Sequence, residues 1–384
     1  MKRIFLLLVY SRLIFLLFAL LAPSIIPLNE GYLGNQHFPD ESYLAWIWAN
    51  FDGRHFSDIV ISGYRHFNFA FFPLYPLMIR ILDYHLIVDP PYVGIFISTA
   101  CLFLAMIMLY KIIKLDYKEN IAHLSLLMLA FFPLSFFYHS MYSDSLFLLL
   151  SITSFYWARR GNWVLAGIFG GLVTLTRIAG IALLPALLVE WYLQNKGETN
   201  KIIKNFTKKN ILPFLSKFLK TGFVALVLTS FGFLSYLVYL QVVYGDWLLF
   251  QKSMVAWRQH EFVFPPQVVF RYLKIFVLVE KDLLVFWVAF LEFISMVVYF
   301  ALTYFVAKRV RLSYAVLMFF ILLLPTFTGT FAGMPRYILH TFPAFIGLAL
   351  FLRKRTFLKP LVIILFLLLG FVFTALFTRG YFIA

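Results

Sequence analysis

One stretch of the chain places acidic, basic and aromatic side chains together between two apolar runs. It extends from Trp46 to Arg80 and belongs to a loop that begins near Leu28. The ionisable residues of that loop include Asp40, Glu41, Asp52, Arg54, His55, Asp58, Arg65 and His66. A carboxylate held at a water–lipid boundary can take a proton from a hydroxyl group or bind a divalent cation, because its surroundings shift its pKa and orient it. The spacing leaves a second interpretation open, in which the aromatic rings form an interfacial belt and the charges face water.

The composition of the chain predicts that these residues lie beside lipid. Of the 384 residues, 62% are hydrophobic and 13% are charged, which is more apolar surface than one water-soluble core can bury. Apolar runs long enough to cross about 30 Å of hydrocarbon recur from end to end. Since helices satisfy their own backbone hydrogen bonds in lipid, we predict an all-α, polytopic membrane protein with one domain over residues 1–384.

The charge and cysteine content exclude several other classes of function. The formal net charge is +16, but the basic residues lie in short clusters between apolar runs, so we expect a topological role and no nucleic-acid partner. Cys101 is the only cysteine and lies within an apolar run. An intramolecular disulfide and a cysteine-cluster metal site are therefore excluded.

The apolar runs predict about eleven transmembrane helices. The predicted spans cover residues 4–26, 91–113, 120–138, 143–158, 162–176, 178–194, 220–243, 283–307, 312–330, 337–352 and 358–378. With a cytoplasmic amino terminus, the basic clusters collect on the cytoplasmic side, including the lysine-rich loop 195–220, and most acids lie outside.

This topology requires that Phe69 to Leu86 does not cross the membrane. Pro73 and Pro76 each remove a helical hydrogen-bond donor, which favours a broken, interfacial segment. The extracytoplasmic side then receives a first loop, residues 28–90, with interfacial helices, and a further loop, residues 244–282.

The order of short motifs along the chain resembles the PIG-V family of membrane mannosyltransferases. The motifs are W-A-N-F-D-G-x-H-F at 48–56, I-x-x-x-G-Y at 59–64, A-F-F-P-L-Y-P-L at 70–77, Y-S-D-S-L-F at 142–147, L-T-R at 175–177, Y-G-D-W-L-L-F at 244–250 with Ala256-Trp257, and M-P-R-Y at 334–337 with Phe342-Pro343. Together they cover nearly the whole chain.

The resemblance implies a GT-C glycosyltransferase with an extracytoplasmic active site. Such an enzyme takes mannose from a polyprenyl-phosphate mannose donor and passes it to a glycolipid or glycan acceptor. Asp52 is carried over as the acid of the family's W-D-G type motif. Phe51 stands where the animal and fungal pattern has Trp, so eukaryotic acceptor specificity does not transfer. Asp40 and Glu41 resemble an acidic pair of protein mannosyltransferases and compete with Asp52 for the role of base.

The expected reaction is a single inverting displacement. Asp52 accepts the proton of the acceptor hydroxyl, and Arg336 offers a bidentate fork to the departing phosphate. Other expected phosphate contacts are Arg177, Arg258, His139 and His260, and the expected substrate contacts are Trp48, Arg54, His55, Tyr64, Asp144, Asp246, Trp257 and Tyr337. The competing interpretations are that Arg336 pairs with a structural acid and that Asp144 and Asp246 cap helices.

The sequence singles out no cofactor, and a divalent cation, Mg²⁺ or Mn²⁺, between Asp40, Glu41 and Asp52 is an open alternative. The rival functions are transfer of another sugar to lipid, protein or polysaccharide, and transport or flipping of a lipid-linked sugar. A transporter should hold its charges near the bilayer midplane, whereas here most lie in outer loops. The expected location is a prokaryotic plasma membrane.

Overall fold

The structure is a computed structural model, and it describes residues 1–33, 43–86, 88–204, 208–257 and 262–383. The prediction of an all-α protein is confirmed, because these ranges contain helices and no β-strand. The α-helices are α1 (Lys2–Leu21), α2 (Glu30–Leu33), α3 (Tyr43–Trp46), α4 (Asp52–Ser62), α5 (Leu74–Leu86), α6 (Pro90–Ile113), α7 (Glu119–Phe131), α8 (Asp144–Arg159), α9 (Trp163–Thr174), α10 (Leu183–Gln194), α11 (Lys196–Lys204), α12 (Lys208–Lys220), α13 (Gly222–Tyr244), α14 (Leu249–Lys252), α15 (Pro265–Leu278), α16 (Leu284–Arg309), α17 (Leu312–Leu323), α18 (Met334–Tyr337), α19 (Phe342–Leu352) and α20 (Leu358–Thr378). Short 3-10 helices cover Ala22–Ser24, His66–Ala70, Ser135–Tyr138, Ile178–Ala182, Ser253–Trp257, Leu324–Phe327 and Ile338–His340.

Several of these helices are long and apolar enough to cross a membrane. Within the described ranges there are five: Lys2–Ser24, Pro90–Ile113, Ile211–Tyr244, Leu284–Arg309 and Leu358–Thr378. Met334–His340 and Phe342–Leu352 make a sixth if they form one span, although they meet at 90°. The chain is therefore a multi-pass membrane protein. The remaining apolar helices are shorter than the roughly 20 residues that a straight span needs, and the count of eleven stays a prediction.

The segment that was expected not to cross the membrane divides at residues 71–73. The 3-10 helix His66–Ala70 precedes this break and α5 follows it, with Pro76 in its first turn. A proline there costs no hydrogen bond, since the first amides of a helix have no partner within it. The 13 residues of α5 span about 20 Å, which is less than the hydrocarbon thickness.

Helix α8 lies at the centre of the molecule. Most of its side chains are buried, including those of Asp144, Phe147 and Phe155. It packs between α6 and α9, and α9 in turn packs closely on α13. A Cβ on Gly232 would meet the carbonyl oxygen of Gly171 at 1.9 Å, so only glycine permits that approach of two backbones.

The two ends of α8 carry different charge clusters. Its 16 residues are about 24 Å long, with Asp144 at one end and Arg159 at the other. At the Arg159 end, Arg159 pairs with Asp116, Arg311 pairs with Glu190, and Tyr117 Oη donates to the carbonyl of Arg309. We call this end of the molecule the basic face.

Candidate active site

Asp52 is the first residue of α4 and follows a strained backbone position. Phe51 has φ 54° and ψ −112°, and it is the only residue other than glycine with positive φ in the described part of the chain. Such a conformation costs about 1–3 kcal/mol and persists only where packing enforces it. The ring of Phe51 packs against Phe377 and Phe382, with ring centroids 5.9 and 5.8 Å apart. The strained turn therefore fixes the position at which Asp52 enters the site.

Two hydrogen bonds to backbone carbonyls bring the Asp52 segment to the start of α8. The amide of Met141 donates to the carbonyl oxygen of Trp48 at 3.0 Å. Tyr142 Oη donates to the carbonyl oxygen of Asn50 at 2.7 Å. Asp52 and Asp144 are thereby held next to each other, although 91 residues separate them in the sequence.

Arg336 joins the two carboxylates. Its Nη1 donates to Asp52 Oδ2 at 2.6 Å, while Nε and Nη2 donate to the two oxygens of Asp144 at 3.0 and 2.7 Å. The guanidinium also lies over the rings of Phe137 and Tyr142, 4.8 and 4.4 Å from their centroids. Only 9% of the Arg336 side chain is exposed, so this arginine is a buried partner of two acids.

Arg177 is the more open cation of the cluster. Its Nη1 donates to Asp144 Oδ2 at 3.2 Å and to Ser143 Oγ at 3.4 Å. Its side chain is 22% exposed, close to the 23% of Asp52. The amide of Leu74 donates to the carbonyl of Leu175 at 3.0 Å, which ties the Arg177 segment to the start of α5.

These side chains line one cavity of roughly 390 Å³. Its lining residues are Asp52, Phe56, Ala70, Phe71, Phe72, Ser143, Thr176, Arg177, Ile178, Ala179, Met254, Ala332, Gly333, Arg336, Tyr337, His340 and Phe382. One carboxylate and two guanidiniums thus share a largely apolar cavity. We call it the Asp52 cavity. Of the residues expected from the sequence, it brings together Asp52, Arg177, Arg336 and Tyr337, with Asp144 directly behind them.

His340 also lines this cavity and was not singled out from the sequence. Its Nε2 lies 3.0 Å from Asp144 Oδ1, yet neither ring nitrogen has a hydrogen bond of suitable geometry to a described residue. His340 follows Arg336 by four residues, a spacing that places both on one face of a helix. That spacing was the available signal, and Met334–His340 is indeed helical.

A hydrogen-bonded pair in the neighbouring helices holds the segment that leads to Arg336. Tyr272 Oη donates to the buried carboxyl group of Glu292, which lies inside α16, and accepts from the amide of Phe331 at 2.8 Å. Tyr299 Oη donates to the carbonyl oxygen of Pro335 at 3.1 Å. Two tyrosines therefore fix the backbone on both sides of the Ala332-Gly333 edge of the cavity.

Trp48 and His139 lie together outside the Asp52 cavity. Their ring centroids are 4.3 Å apart, and both line a second cavity against α1. His139 Nδ1 lies 3.0 Å from Arg12 Nη1, which also donates to the carbonyl of Ser135. Burial, with a smaller contribution from Arg12, lowers the pKa of His139 well below its ordinary value. His139 is therefore a neutral hydrogen-bond acceptor for Arg12. It lines the second cavity and is not among the lining residues of the Asp52 cavity, where its phosphate contact was expected.

His55 and Tyr64 contact the segment that forms one wall of the cavity, while Arg54 contacts Trp46. Arg54 lies over the ring of Trp46 at 4.7 Å, and His55 Nδ1 is 2.6 Å from Asn68 Oδ1. Tyr64 Oη donates to the carbonyl of Phe71 at 2.7 Å, and burial raises its pKa well above the ordinary value. None of the three is among the lining residues of the Asp52 cavity.

Asp246 makes a local turn. Its Oδ1 accepts from the amide of Leu248 at 3.0 Å, and its other oxygen pairs with Lys252, whose hydrogen bond lowers the pKa of Asp246. This turn precedes the N-cap of α14, which is Leu248 and has no side-chain cap, so Asp246 does not cap that helix. Asp144 pairs with arginines and likewise makes no cap hydrogen bond.

Four of the expected residues lie outside the described residues. They are Asp40, Glu41, Arg258 and His260, and the side chain of Trp257 is also not described. The ranges that the structure describes contain no group of three or more His, Cys, Asp or Glu side chains placed to hold a metal ion. Because two of the three proposed ligands fall outside those ranges, the cation site between Asp40, Glu41 and Asp52 stays a prediction.

Comparison with known proteins bears on this arrangement. Residues 73–230 match a family model described as dolichyl-phosphate-mannose-protein mannosyltransferase. The match supports a membrane glycosyltransferase of the GT-C type. It includes Asp144 and Arg177, while Asp52 precedes the matched range and Arg336 follows it. Searches of curated proteins and of solved structures give no match.

Proposed function

We propose that this protein transfers mannose from a polyprenyl-phosphate mannose donor to an extracytoplasmic glycolipid or glycan acceptor, with inversion at the anomeric carbon. One observation carries the proposal: the partly exposed carboxylate of Asp52 and the partly exposed guanidinium of Arg177 face the same cavity. A base and a phosphate-binding cation are the two groups that such a displacement needs. The matched family model and the PIG-V-like order of motifs both support this donor class.

Asp52 acts as the base in the proposed reaction. Arg336 holds only its Oδ2, so Oδ1 is available to the cavity. As the acceptor oxygen attacks the anomeric carbon, its proton passes to Asp52. The bond between the anomeric carbon and the phosphate oxygen breaks at the same time, and the lipid phosphate leaves with that electron pair.

The phosphate role that the sequence favoured for Arg336 passes to Arg177 in this proposal. Arg336 already gives three hydrogen bonds to Asp52 and Asp144 and is nearly buried. Arg177 uses Nη1 toward Ser143 and Asp144, so its remaining donors can meet the phosphate oxygens. Arg336 then serves as the positioning residue for Asp52.

The position of the charges favours an enzyme over a transporter of lipid-linked sugar. Asp52 begins α4 and Asp144 begins α8, so the cluster lies at the end of helices. A transporter is expected to hold such groups near the bilayer midplane. We further infer a PIG-V-like enzyme in a prokaryotic plasma membrane, with the Asp52 cavity on the extracytoplasmic side, opposite the basic face.

Product analysis tests the proposal. The protein, purified into lipid vesicles, is given polyprenyl-phosphate mannose labelled in the sugar and a panel of glycolipid acceptors. The expected result is an acceptor whose mass rises by one hexose, with inverted configuration at the anomeric carbon. Movement of intact donor across the bilayer without any transfer would refute the enzyme. A chelator titration in the same assay decides whether a divalent cation takes part.

A further inference from the structure

A second charged cavity lies at the basic face. It has a volume of roughly 500 Å³. Its lining residues are Tyr117, Phe305, Arg309, Leu350, Phe351, Arg353, Lys354 and Arg355. We call it the basic cavity. The 11 residues of α19 separate it from the Asp52 cavity, a distance of about 16 Å, so it is a different site.

The cations of the basic cavity are unbalanced. Four basic side chains line it and no carboxylate does. Elsewhere on the same face Arg159 and Arg311 pair with Asp116 and Glu190. Another cavity there, which contains Lys2, Arg3 and Lys111, also includes Glu119.

The four cations are exposed, so water weakens their mutual repulsion, and an anion that joins them removes what remains. Arg309, Arg353 and Lys354 make no ion pair with a described residue, and Arg355 donates only to the carbonyl of Phe351. The described residues that line the cavity supply no counter-charge, which leaves room for an anion from outside this part of the chain. Two or more guanidinium forks beside one another suit the oxygens of a phosphate.

The other wall of the basic cavity is apolar. Phe305 and Phe351 are in edge contact, with ring centroids 6.1 Å apart, and Leu350 lies beside them. Phe305 belongs to α16, a helix apolar and long enough to span the bilayer. A ligand that fits both walls carries a phosphate at one end and a hydrocarbon chain at the other.

We propose that the basic cavity binds the headgroup of an anionic phospholipid of the surrounding leaflet. The phosphate of the headgroup, whose negative charge is not offset by a cationic group on the lipid, meets Arg309, Arg353 and Lys354. The acyl chain follows the aromatic wall of Phe305 and Phe351 along α16. This site is independent of the glycosyltransferase reaction, because the Asp52 cavity shares no lining residue with it.

Retention of lipid by the purified protein tests the site. The protein is reconstituted with phosphatidylglycerol or phosphatidylcholine, and lipid adducts are counted by native mass spectrometry. Phosphatidylglycerol should stay bound in preference to phosphatidylcholine. Removing one cation with Arg353→Gln should weaken retention roughly fivefold, and the triple change Arg309→Gln, Arg353→Gln, Lys354→Gln about a hundredfold.

A matched control separates a built site from general surface charge. Lys114→Gln, Arg160→Gln and Lys220→Gln remove three cations from the basic face, and none of these residues lines the basic cavity. The control should retain phosphatidylglycerol as the unmodified protein does. Equal loss from both triple variants would overturn the proposal, because any cation on that face would then serve.

A final arm distinguishes a lipid from a free phosphate. Inorganic phosphate is added to the detergent-solubilised protein, first alone and then as a competitor of phosphatidylglycerol. We expect it neither to raise the thermal unfolding temperature nor to displace the lipid at millimolar concentration. Displacement at that concentration would make the basic cavity a free-anion site and would refute the lipid assignment.

Discussion

A buried carboxylate lies between two arginines at each end of α8, Asp144 at one end and Glu190 at the other. The two clusters differ in how many of their carboxylate oxygens accept hydrogen bonds. Asp144 accepts from Arg336 and Arg177 at one end. At the other end Glu190 accepts from Arg311, and Arg159 lies 3.6 Å from it. Glu190 also accepts from Ser313 and Gln194, both at 2.7 Å. The cluster around Glu190 is therefore saturated with donors.

The difference is clearest for the two partly exposed carboxylates, Asp116 and Asp52. Asp116 offers both oxygens to Arg159, at 2.7 Å each. Asp52 gives only Oδ2 to Arg336, and its side chain lines a cavity. The same residue types thus form a structural ion-pair cluster at one end of α8. At the other end they leave a carboxylate oxygen without a hydrogen bond from Arg336. A charge cluster points to chemistry when an oxygen or a donor is left over beside open volume.

The largest expected effect is on turnover and distinguishes Asp52 from Asp116. Asp52→Asn should lower the turnover number about 10³-fold, since a general base contributes about 10²–10⁴. Asp116→Asn should leave turnover per folded molecule unchanged and lower only the unfolding temperature. Transfer assays on both purified variants check this pair, and full transfer by Asp52→Asn would refute the proposed base.

Breaking the buried pairs should cost stability at both ends and activity at one. Arg336→Gln and Arg311→Gln each remove the main partner of a buried acid, which costs about 3–5 kcal/mol. We expect both to lower the thermal unfolding temperature in detergent. Only Arg336→Gln should also lower transfer by the fraction that remains folded, by less than Asp52→Asn does, because Asp52 then loses its support. Arg336→Gln with normal turnover would show that Asp52 needs no such support.

Arg177 should affect the donor more than turnover. Loss of a charged hydrogen bond to phosphate costs about 1.5–3 kcal/mol, so Arg177→Gln should raise the KM for the lipid donor roughly 10- to 150-fold. Arg177→Lys keeps the charge and should recover part of that affinity. Arg159→Gln, at the other end of α8, is the matched control and should leave KM unaltered. Steady-state kinetics over donor concentration decide the matter.

Tyr272 should have a smaller influence on the site. Tyr272→Phe removes the acceptor for the Phe331 amide, a net loss of about 1 kcal/mol. Since that amide anchors the segment before Arg336, we expect turnover to fall severalfold with the donor KM nearly unchanged. Tyr314→Phe removes a comparable contact to Arg159 in the saturated cluster and should change stability alone. Equal turnover in the two variants would contradict the positioning role.

The smallest effect concerns pH and lies outside both clusters. Because burial depresses the pKa of His139, folding favours its neutral form. That contribution to stability is complete above the unfolded pKa of about 6.5 and is lost as the pH falls below it. The unfolding temperature should therefore drop between pH 7 and pH 5, and His139→Asn should reduce the drop. Transfer kinetics at neutral pH should be the same for both proteins.

The sequence predicted the long helices well because their apolar runs are uninterrupted. The predicted span 358–378 coincides with α20, and 91–113 differs from α6 by one residue. The predicted span 120–138 was too long. Helix α7 ends at Phe131, since Phe132 precedes Pro133 and takes an extended conformation. The span predicted at 337–352 is bent at Thr341, immediately before Phe342-Pro343.

The composition of the site was less accessible from the sequence. Motif order led to Asp52, Arg177 and Arg336, but their mutual contacts depend on packing between segments more than 90 residues apart. For the same reason, the spacing of the motifs could not show that Trp48 and His139 lie outside the Asp52 cavity. The exchange of roles between Arg336 and Arg177 depends on which side chain is buried, and that is decided only in the folded protein.

The starts of α4 and α8 have a consequence for the charge balance of the Asp52 cavity. Asp52 is the first residue of one helix and Asp144 is the first residue of the other. Both helix dipoles therefore direct their positive ends, worth about half an elementary charge each, toward the same volume. The peptide backbone offsets part of the negative charge of the two carboxylates and leaves the guanidiniums freer to attract an incoming anion. The favourable field for an anion in the Asp52 cavity is thus set by the directions of the two helices, and it persists when individual side chains are exchanged.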